Sequence, residues 1–361
     1  MADKLGNIVI QKHELPGFSP EGTLGELFAI VESSHPQFGV DWLNNLARNA
    51  LDAQEQALVY TAVSDNGGMV AVPLRFAADG RSAHALANFY TSLYSPVAEA
   101  DDPGALLTAI FRELAATGPV TALTLAPMNP ESRLYTELLE ALPAAGWRGV
   151  HTYFCFANWI HPIAGDDWES YLAGRSSRLR NTVQRRTRKF LDNNRGTLTI
   201  TRDREHLESA IGDFTDVYGR SWKREEPYPN FMPELLRLAA DRGWLRLGLA
   251  HYEDIPVAAQ AWLVVNGTAY IFKLAYRQDY RQLSPGTVLT AHMMRYVIET
   301  DGAGKIDYMS GDDTYKRDWM SIRRECHGIA AYNPRSIRGR VLLAAHHVRS
   351  TIKRLTGHDG A

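Results

Sequence analysis

Between Asp307 and Trp319 the chain reads DYMSGDDTYKRDW, a segment carrying four carboxylates together with Tyr315 and Lys316. The run KIDYM that leads into it is strand-like, so these polar residues gather at a strand's carboxyl end, where open sheets build their sites. A carboxylate beside a Tyr–Lys pair can position an amine, take its proton, or protonate a leaving thiolate. Asp312 follows a glycine and is the first candidate for orienting or deprotonating an acceptor; Asp313, adjacent, is a substrate contact. An ordinary aspartate titrates near ~4, so Asp312 either has its pKa raised by its surroundings or holds an amine without taking its proton. Tyr315 is the candidate proton donor to the departing group. Lys316 either favours developing negative charge or pairs with an acid. The structural alternative is a salt-bridged loop with Tyr315 packed inward. No metal is expected, because carboxylates without histidine or an EF-hand pattern do not make a ligand set.

A second segment, YRQLSPGTVLTAHMMRYV from Tyr280 to Val297, is a polar turn that breaks into a helix. A helix N-terminus offers unpaired backbone N–H groups and a positive dipole end, which suits a phosphate. Gly286 allows backbone to approach an anion closely, and Arg281 adds charge. Gln282, Ser284 and Thr287 complete the expected donor contacts. The motif is weaker than a P-loop, having no Gly-Lys-Ser/Thr, and an ordinary strand–helix turn is the alternative. A third segment, DVYGRSWKREEPYPNF, places Trp222 and Lys223 at the end of a helix and Glu226 in a proline-interrupted loop. These residues either line a polar-substrate pocket or belong to a linker. From Arg175 to Arg195 the chain carries seven Arg and one Lys against one Asp. Such density suits the phosphates of a CoA, an acidic helix of a carrier protein, or tRNA, or else a solvated face. No aromatic residues alternate with these charges as a base-stacking platform requires.

The elements that must position these residues follow from periodicity. QALVYTAVSDNGGMVAVPLRFAADG reads as a hairpin, DDPGALLTAIFRELAATG as a helix with Asp101 or Asp102 as cap and Pro103 in its first turn, then VTALTLAPM as a strand. A helix at PESRLYTELLEALPAAG and a strand at HTYFCFANWI close the first half. In the second half DDWESYLAGRSSRLRNTVQRRTRKFLDNN is helical and GTLTITRD a strand. Two helices follow, then WLRLGLAHYEDIPVAAQAWLVVNGTAYIFKLAY as three strands with turns at Glu253-Asp254 and Asn266-Gly267. The two halves share a meander–helix–strand order. The expectation is an α+β chain of two domains, 1–160 and 161–340, each with a mixed sheet and helices around it, meeting near HPIAGDDW. Residues 341–361 form a basic amphipathic helix and tail, which either lies on a membrane or acidic partner or docks with a solvated basic face.

Bulk properties narrow the function classes. The chain has 361 residues, 45% of them hydrophobic and 22% charged, enough for one large or two ordinary domains. A net charge of −2 speaks against a general nucleic-acid binder, so DNA is not an expected partner. Its two cysteines, Cys155 and Cys326, form no C-x-x-C pair, which speaks against zinc, iron–sulfur and disulfide-framework readings. The N-terminal stretch has no long apolar run, and no segment reaches the ~18 apolar residues of a membrane span, so a cytoplasmic protein is expected.

Taken in order, SSRLRNTVQRRTRKF, FTDVYGRSWK, PVAAQAWLVVNGTAYIFKLAY, LSPGTVLTAHMMRYV and IDYMSGDDTYKRDW, with ANFYTSLYSPV in the first half, resemble the cellulose-biosynthesis-type acyltransferases of the GNAT superfamily. That group is related to the Fem peptidyltransferases, which are built from two GNAT-like domains. The resemblance implies tandem GNAT-like domains and an acyl group passed from a thioester to an amine or hydroxyl of a small molecule. It also implies that Arg281–Thr287 matches the pyrophosphate loop, whose usual pattern is Q/R-x-x-G-x-G/A. Here Gly286 is the single glycine and a proline precedes it. That departure leaves acyl-CoA, a phosphopantetheine-linked acyl group on an acyl-carrier protein, and other donors open, none of them a tightly bound cofactor. The alternatives are a Fem-like transferase that uses aminoacyl-tRNA, and a catalytically silent module that binds a carrier protein.

Overall fold

The computed structural model describes residues 7–165 and 167–356, with side chains to residue 348. Asp166 of the expected boundary and the last five residues of the expected tail lie outside them. The chain divides into two compact units, residues 1–156 with 325–361, and residues 157–324.

In the first unit, β1 (Ile8–Leu15) leads to α1 (Gly22–Ser34) and α2 (Val40–Asn49). Then come β2 (Gln56–Ser64), β3 (Met69–Phe76), β4 (Ser82–Ala85), β5 (Val97–Glu99), α3 (Pro103–Thr117), β6 (Ala122–Met128), α4 (Arg133–Ala144) and the start of β7 (Arg148–Pro162). Asp102 caps α3, its carboxylate accepting from Ala105 N at 3.1 Å, with Pro103 in the first turn. Neighbouring strands are antiparallel except β4 and β6, which run parallel on either side of the α3 crossover.

In the second unit come α5 (Trp168–Ala173), α6 (Ser177–Leu191), β8 (Gly196–Thr201), α7 (Leu207–Gly219), α8 (Phe231–Asp241), β9 (Leu245–Tyr252), β10 (Ile255–Val265) and β11 (Thr268–Tyr276). They are followed by α9 (Pro285–Glu299), β12 (Lys305–Ser310), α10 (Thr314–Trp319) and the first residues of β13 (Ile322–Tyr332), and the chain ends in α11 (Ile337–Thr356). The order β8-β9-β10-β11 is an antiparallel meander, and β12 lies parallel to β11 after the α9 crossover. This repeats the pattern of the first unit. Glu253, Asp254, Asn266 and Gly267 all have positive φ, as tight two-residue hairpin turns require.

Three expectations are corrected. The helical run over DDWESYLAGRSSRLRNTVQRRTRKFLDNN is two helices, because Ser176 caps α6 afresh, accepting from Leu179 N at 3.2 Å. Trp222 and Lys223 lie beyond α7, which stops at Gly219. The outer strand of each unit is exchanged: residues 157–162 of β7 pair with β12, while the later part of β13 pairs with β6. Residues 325–340, expected in the second domain, therefore belong to the first unit. Each unit has its own core. Leu107, Ile110, Phe111 and Leu125 centre the first, and Trp262, Val288, Leu289 and Met293 the second. Gly248 permits that second packing, since a Cβ there would meet Met293 Sδ at 2.4 Å. Among the described residues no helix is long and apolar enough to cross a membrane.

Candidate active site

All the site residues expected from sequence fall in the second unit, at the carboxyl ends of β11 and β12 and in the loop after α7. The turn before α9 is a short 3-10 segment, Gln278–Leu283, that carries Arg281 and Gln282 on its exposed side. Ser284 adopts a left-handed conformation (φ 54°, ψ 46°) and its side chain caps nothing. Pro285 has no N–H, and among the described residues the amides of Gly286 and Thr287 donate to no acceptor, as the first turn of a helix dictates. Gly286 is closely approached: a Cβ there would lie 3.1 Å from Tyr276 Cδ1, so the ring would have to give by a few tenths of an ångström. The Tyr276 ring in turn meets Trp222, half-exposed, at 4.5 Å between centroids. Below the turn, buried Gln260 donates to Gly286 O at 3.1 Å and to Thr290 Oγ1 at 2.8 Å, and accepts from Trp262 Nε1 at 2.9 Å.

Six titratable side chains converge in the second unit: Lys223, Lys273, Lys316, Glu226, Asp313 and Tyr218. Lys316, at 4% exposure, sits in α10 and donates to the Tyr308 carbonyl at 3.2 Å and to the Ser310 carbonyl, with Asp313 Oδ2 at 3.9 Å. Burial pulls its pKa down to about 8 against the opposing pull of Asp313, Asp307 and Asp312. Lys223 is also drawn down to about 8, by burial first and then by the charge of Lys273, with Glu226 holding it up, Lys316 adding to the fall and Asp313 opposing it. Its ammonium lies 5.3 Å from the Tyr218 ring centroid. Lys273, in β11, pairs with Glu226 at 2.7 Å; burial lowers its pKa and Glu226 opposes. The geometry thus brings together Lys223, Glu226, Asp313 and Lys316 from the expected set and adds Lys273 and Tyr218. Lys273 had a signal: a charge inside the apolar strand GTAYIFKLAY, where alternation alone predicts a packed residue.

Tyr315 stands edge-on to buried Tyr308, with centroids 5.7 Å apart. Burial and the nearby Asp313 carboxylate push its pKa up, so it keeps its proton. Asp312 is placed differently. Its Oδ1 accepts from Trp159 Nε1 at 2.7 Å and its Oδ2 from Arg323 Nε at 3.0 Å. Those hydrogen bonds hold its pKa below the usual carboxylate range, so it is a fixed anion, ill suited to remove a proton. Among the described residues no cluster of histidine, cysteine and carboxylate suits a metal.

Residues 177–317 match the family model described as an acetyltransferase (GNAT) domain. The match lies wholly inside the second unit and spans every residue above except Trp159 and Arg323. No curated protein matches the chain. Among solved structures it is similar to FemX, at 14% identity and a TM-score of 0.59, over 90% of this chain and 98% of that one. It is also similar to L-PGS from Bacillus licheniformis (13% identity, TM-score 0.51, 83% of this chain and 89% of that one). A third is a tandem GNAT protein from the clavulanic acid biosynthesis pathway, at 12% identity and a TM-score of 0.50, over 90% and 98% of the two chains. The fold is therefore the GNAT fold, a mixed sheet flanked by helices, with tandem GNAT proteins among its neighbours. Within residues 177–317, β11 and β12 pair over Thr268–Tyr270 and Lys305–Asp307, and Lys273 and Lys316 lie beyond those paired stretches.

Proposed function

We propose that the chain is a GNAT-type acyltransferase of the cellulose-biosynthesis-type group, moving an acyl group from a thioester donor to an amine or hydroxyl of a small molecule. The observation that carries this is Lys316: a buried ammonium with two of its three N–H groups tied to backbone carbonyls at the end of β12. A positive charge fixed in this way stabilises the oxyanion that forms when an acyl carbonyl is attacked, with no reorganisation during reaction. In this reading the phosphates of an acyl-CoA or a phosphopantetheine arm take the free amides of Gly286 and Thr287, with Arg281, Gln282 and Ser284 around them. Asp313 holds the acceptor amine, and Trp222 and Glu226 close its pocket. The Lys223 amine, partly neutral near its lowered pKa of about 8, takes the acceptor's proton. The acceptor nitrogen bonds to the acyl carbon, the bond to the leaving atom breaks, and Tyr315 donates a hydrogen bond to that atom. Asp312 orients the loop as an anchored anion.

A second reading is favoured by Tyr315. With its pKa pushed above the ordinary ~10, the phenol is a weaker acid than a thiol near ~8.5, so it gives its proton to a thiolate only uphill. An alkoxide, far more basic, takes that proton readily. This points to an oxygen-ester donor such as the aminoacyl-tRNA of a Fem-like transferase, and α6 offers exposed arginines and lysine for its phosphates. Mass spectrometry of product formed from a panel of acyl-CoAs, acyl-carrier proteins and aminoacyl-tRNAs, with amine and hydroxyl acceptors, separates the two. Transfer from none of them by wild-type protein would remove both and leave a silent binding module.

A further inference from the structure

We infer that α11 docks the protein onto an anionic lipid surface. The inference stands apart from the acyl-transfer reading. The helix is held to the first unit by one side only. His346 stacks on His151 with centroids 4.0 Å apart and approaches Tyr332 at 5.7 Å. Leu343 lies so near Gly149 that a Cβ there would meet its Cδ1 at 2.5 Å, and Gly339 closes on the Asn333 carbonyl in the same way. At 3.6 residues per turn, the opposite side carries Ile337, Val341, Ala344, Ala345 and Val348. Every one of these is exposed, Ile337 at 75%, Val341 at 61% and Val348 at 59%. The sequence continues that spacing with Ile352 and Leu355. A surface helix ordinarily buries its apolar stripe; this one turns it outward.

Charge identifies what covers the stripe. Between Glu325 and Asp359 the sequence has no acidic residue, and it has Arg335, Arg338, Arg340, Arg349, Lys353 and Arg354. Arg338 and Arg340 are exposed on the two flanks of the stripe, and among the described residues Arg338 pairs with Asp79 alone, at 3.5 Å. An apolar band bordered by cations matches a bilayer interface, where acyl chains receive the band and anionic headgroups the cations. A second copy of the same helix would bring like charges together along both flanks, which opposes self-pairing.

The test is sedimentation of the full chain with vesicles of phosphatidylcholine alone and of phosphatidylcholine containing phosphatidylglycerol. Binding is expected to the anionic vesicles, about tenfold or more above the neutral ones, and to weaken in high salt. The pair of exposed substitutions Ile337→Asp and Val341→Asp is expected to lower binding about tenfold or more with an unchanged melting temperature. A chain that stays in the supernatant with both vesicles, or that binds both equally, overturns the inference. So does a concentration-dependent dimer in sedimentation velocity that the two substitutions abolish, which would give the stripe to a second copy.

Discussion

Lys316 and Lys223 share a lowered pKa but not a role, and single substitutions should separate them. Lys316→Met removes the fixed charge and takes a donor from the buried Tyr308 carbonyl and from the Ser310 carbonyl. Turnover should fall about 100-fold or more with donor affinity nearly unchanged, read by kinetics beside calorimetric titration. Lys223→Met should also cut turnover, yet raise the melting temperature at pH 7. The folded state disfavours the Lys223 cation, so its pKa stands at about 8 against an unfolded 10.5. Between those values the unfolded chain binds more protons and wild-type stability climbs with pH. The advantage of Lys223→Met should therefore shrink as pH rises from about 8 toward 10.5, and a gap constant across that window would contradict the assignment. With Lys316 required as a cation and Lys223 as a free amine, turnover should peak near pH 8 and decline on both sides. A flat profile from pH 7 to 9 would exclude this pair of roles.

At the scale of elements, the start of α9 depends on what lies beneath it. Gln260→Leu keeps the volume but strips donors from Gly286 O and Thr290 Oγ1 and the acceptor from Trp262 Nε1. A loss of about 1–3 kcal/mol in denaturant unfolding is expected, together with weaker donor binding. Gly286→Val presses its Cβ against Tyr276, whose ring packs on Trp222, which should weaken donor binding in calorimetry more than Gln260→Leu does. Donor binding undiminished in both variants would move the donor site away from this helix end.

At the scale of the whole molecule, the exchanged strands make the two units depend on chain continuity. Ile329 and Ala331 of β13 are fully buried in the first unit's core and pair with β6. Truncation after Arg324 would bare the β6 edge and remove those side chains, so soluble yield and melting temperature should drop sharply. Truncation after Ser336 removes α11 alone and should cost far less. Equal losses from the two truncations would contradict the strand's place in the first unit.

The hairpins, the cap of α3 and the crossover helices were legible in the sequence because each rests on contacts within a few residues. Asp102 before Pro103, the tight turns at Glu253-Asp254 and Asn266-Gly267, and the apolar spacing of α9 are local matters. Such signals also carried the GNAT resemblance, and with it the expectation of two like domains. β13 was not legible: IRRECHGIAAY begins with charges, and among its later residues Ile329 and Ala331 are buried by packing into the first unit's core. The state of each site residue belonged to tertiary structure as well. Asp312 and Asp313 are neighbours of one type, but Trp159 and Arg323, distant in sequence, tie only the first. Lys273 and Lys223 meet around Tyr218 because a strand and a loop some fifty residues apart fold together. Sequence lists which groups can ionise. Burial and the charges brought beside them decide which do, since both shift a pKa through distance in space and not along the chain.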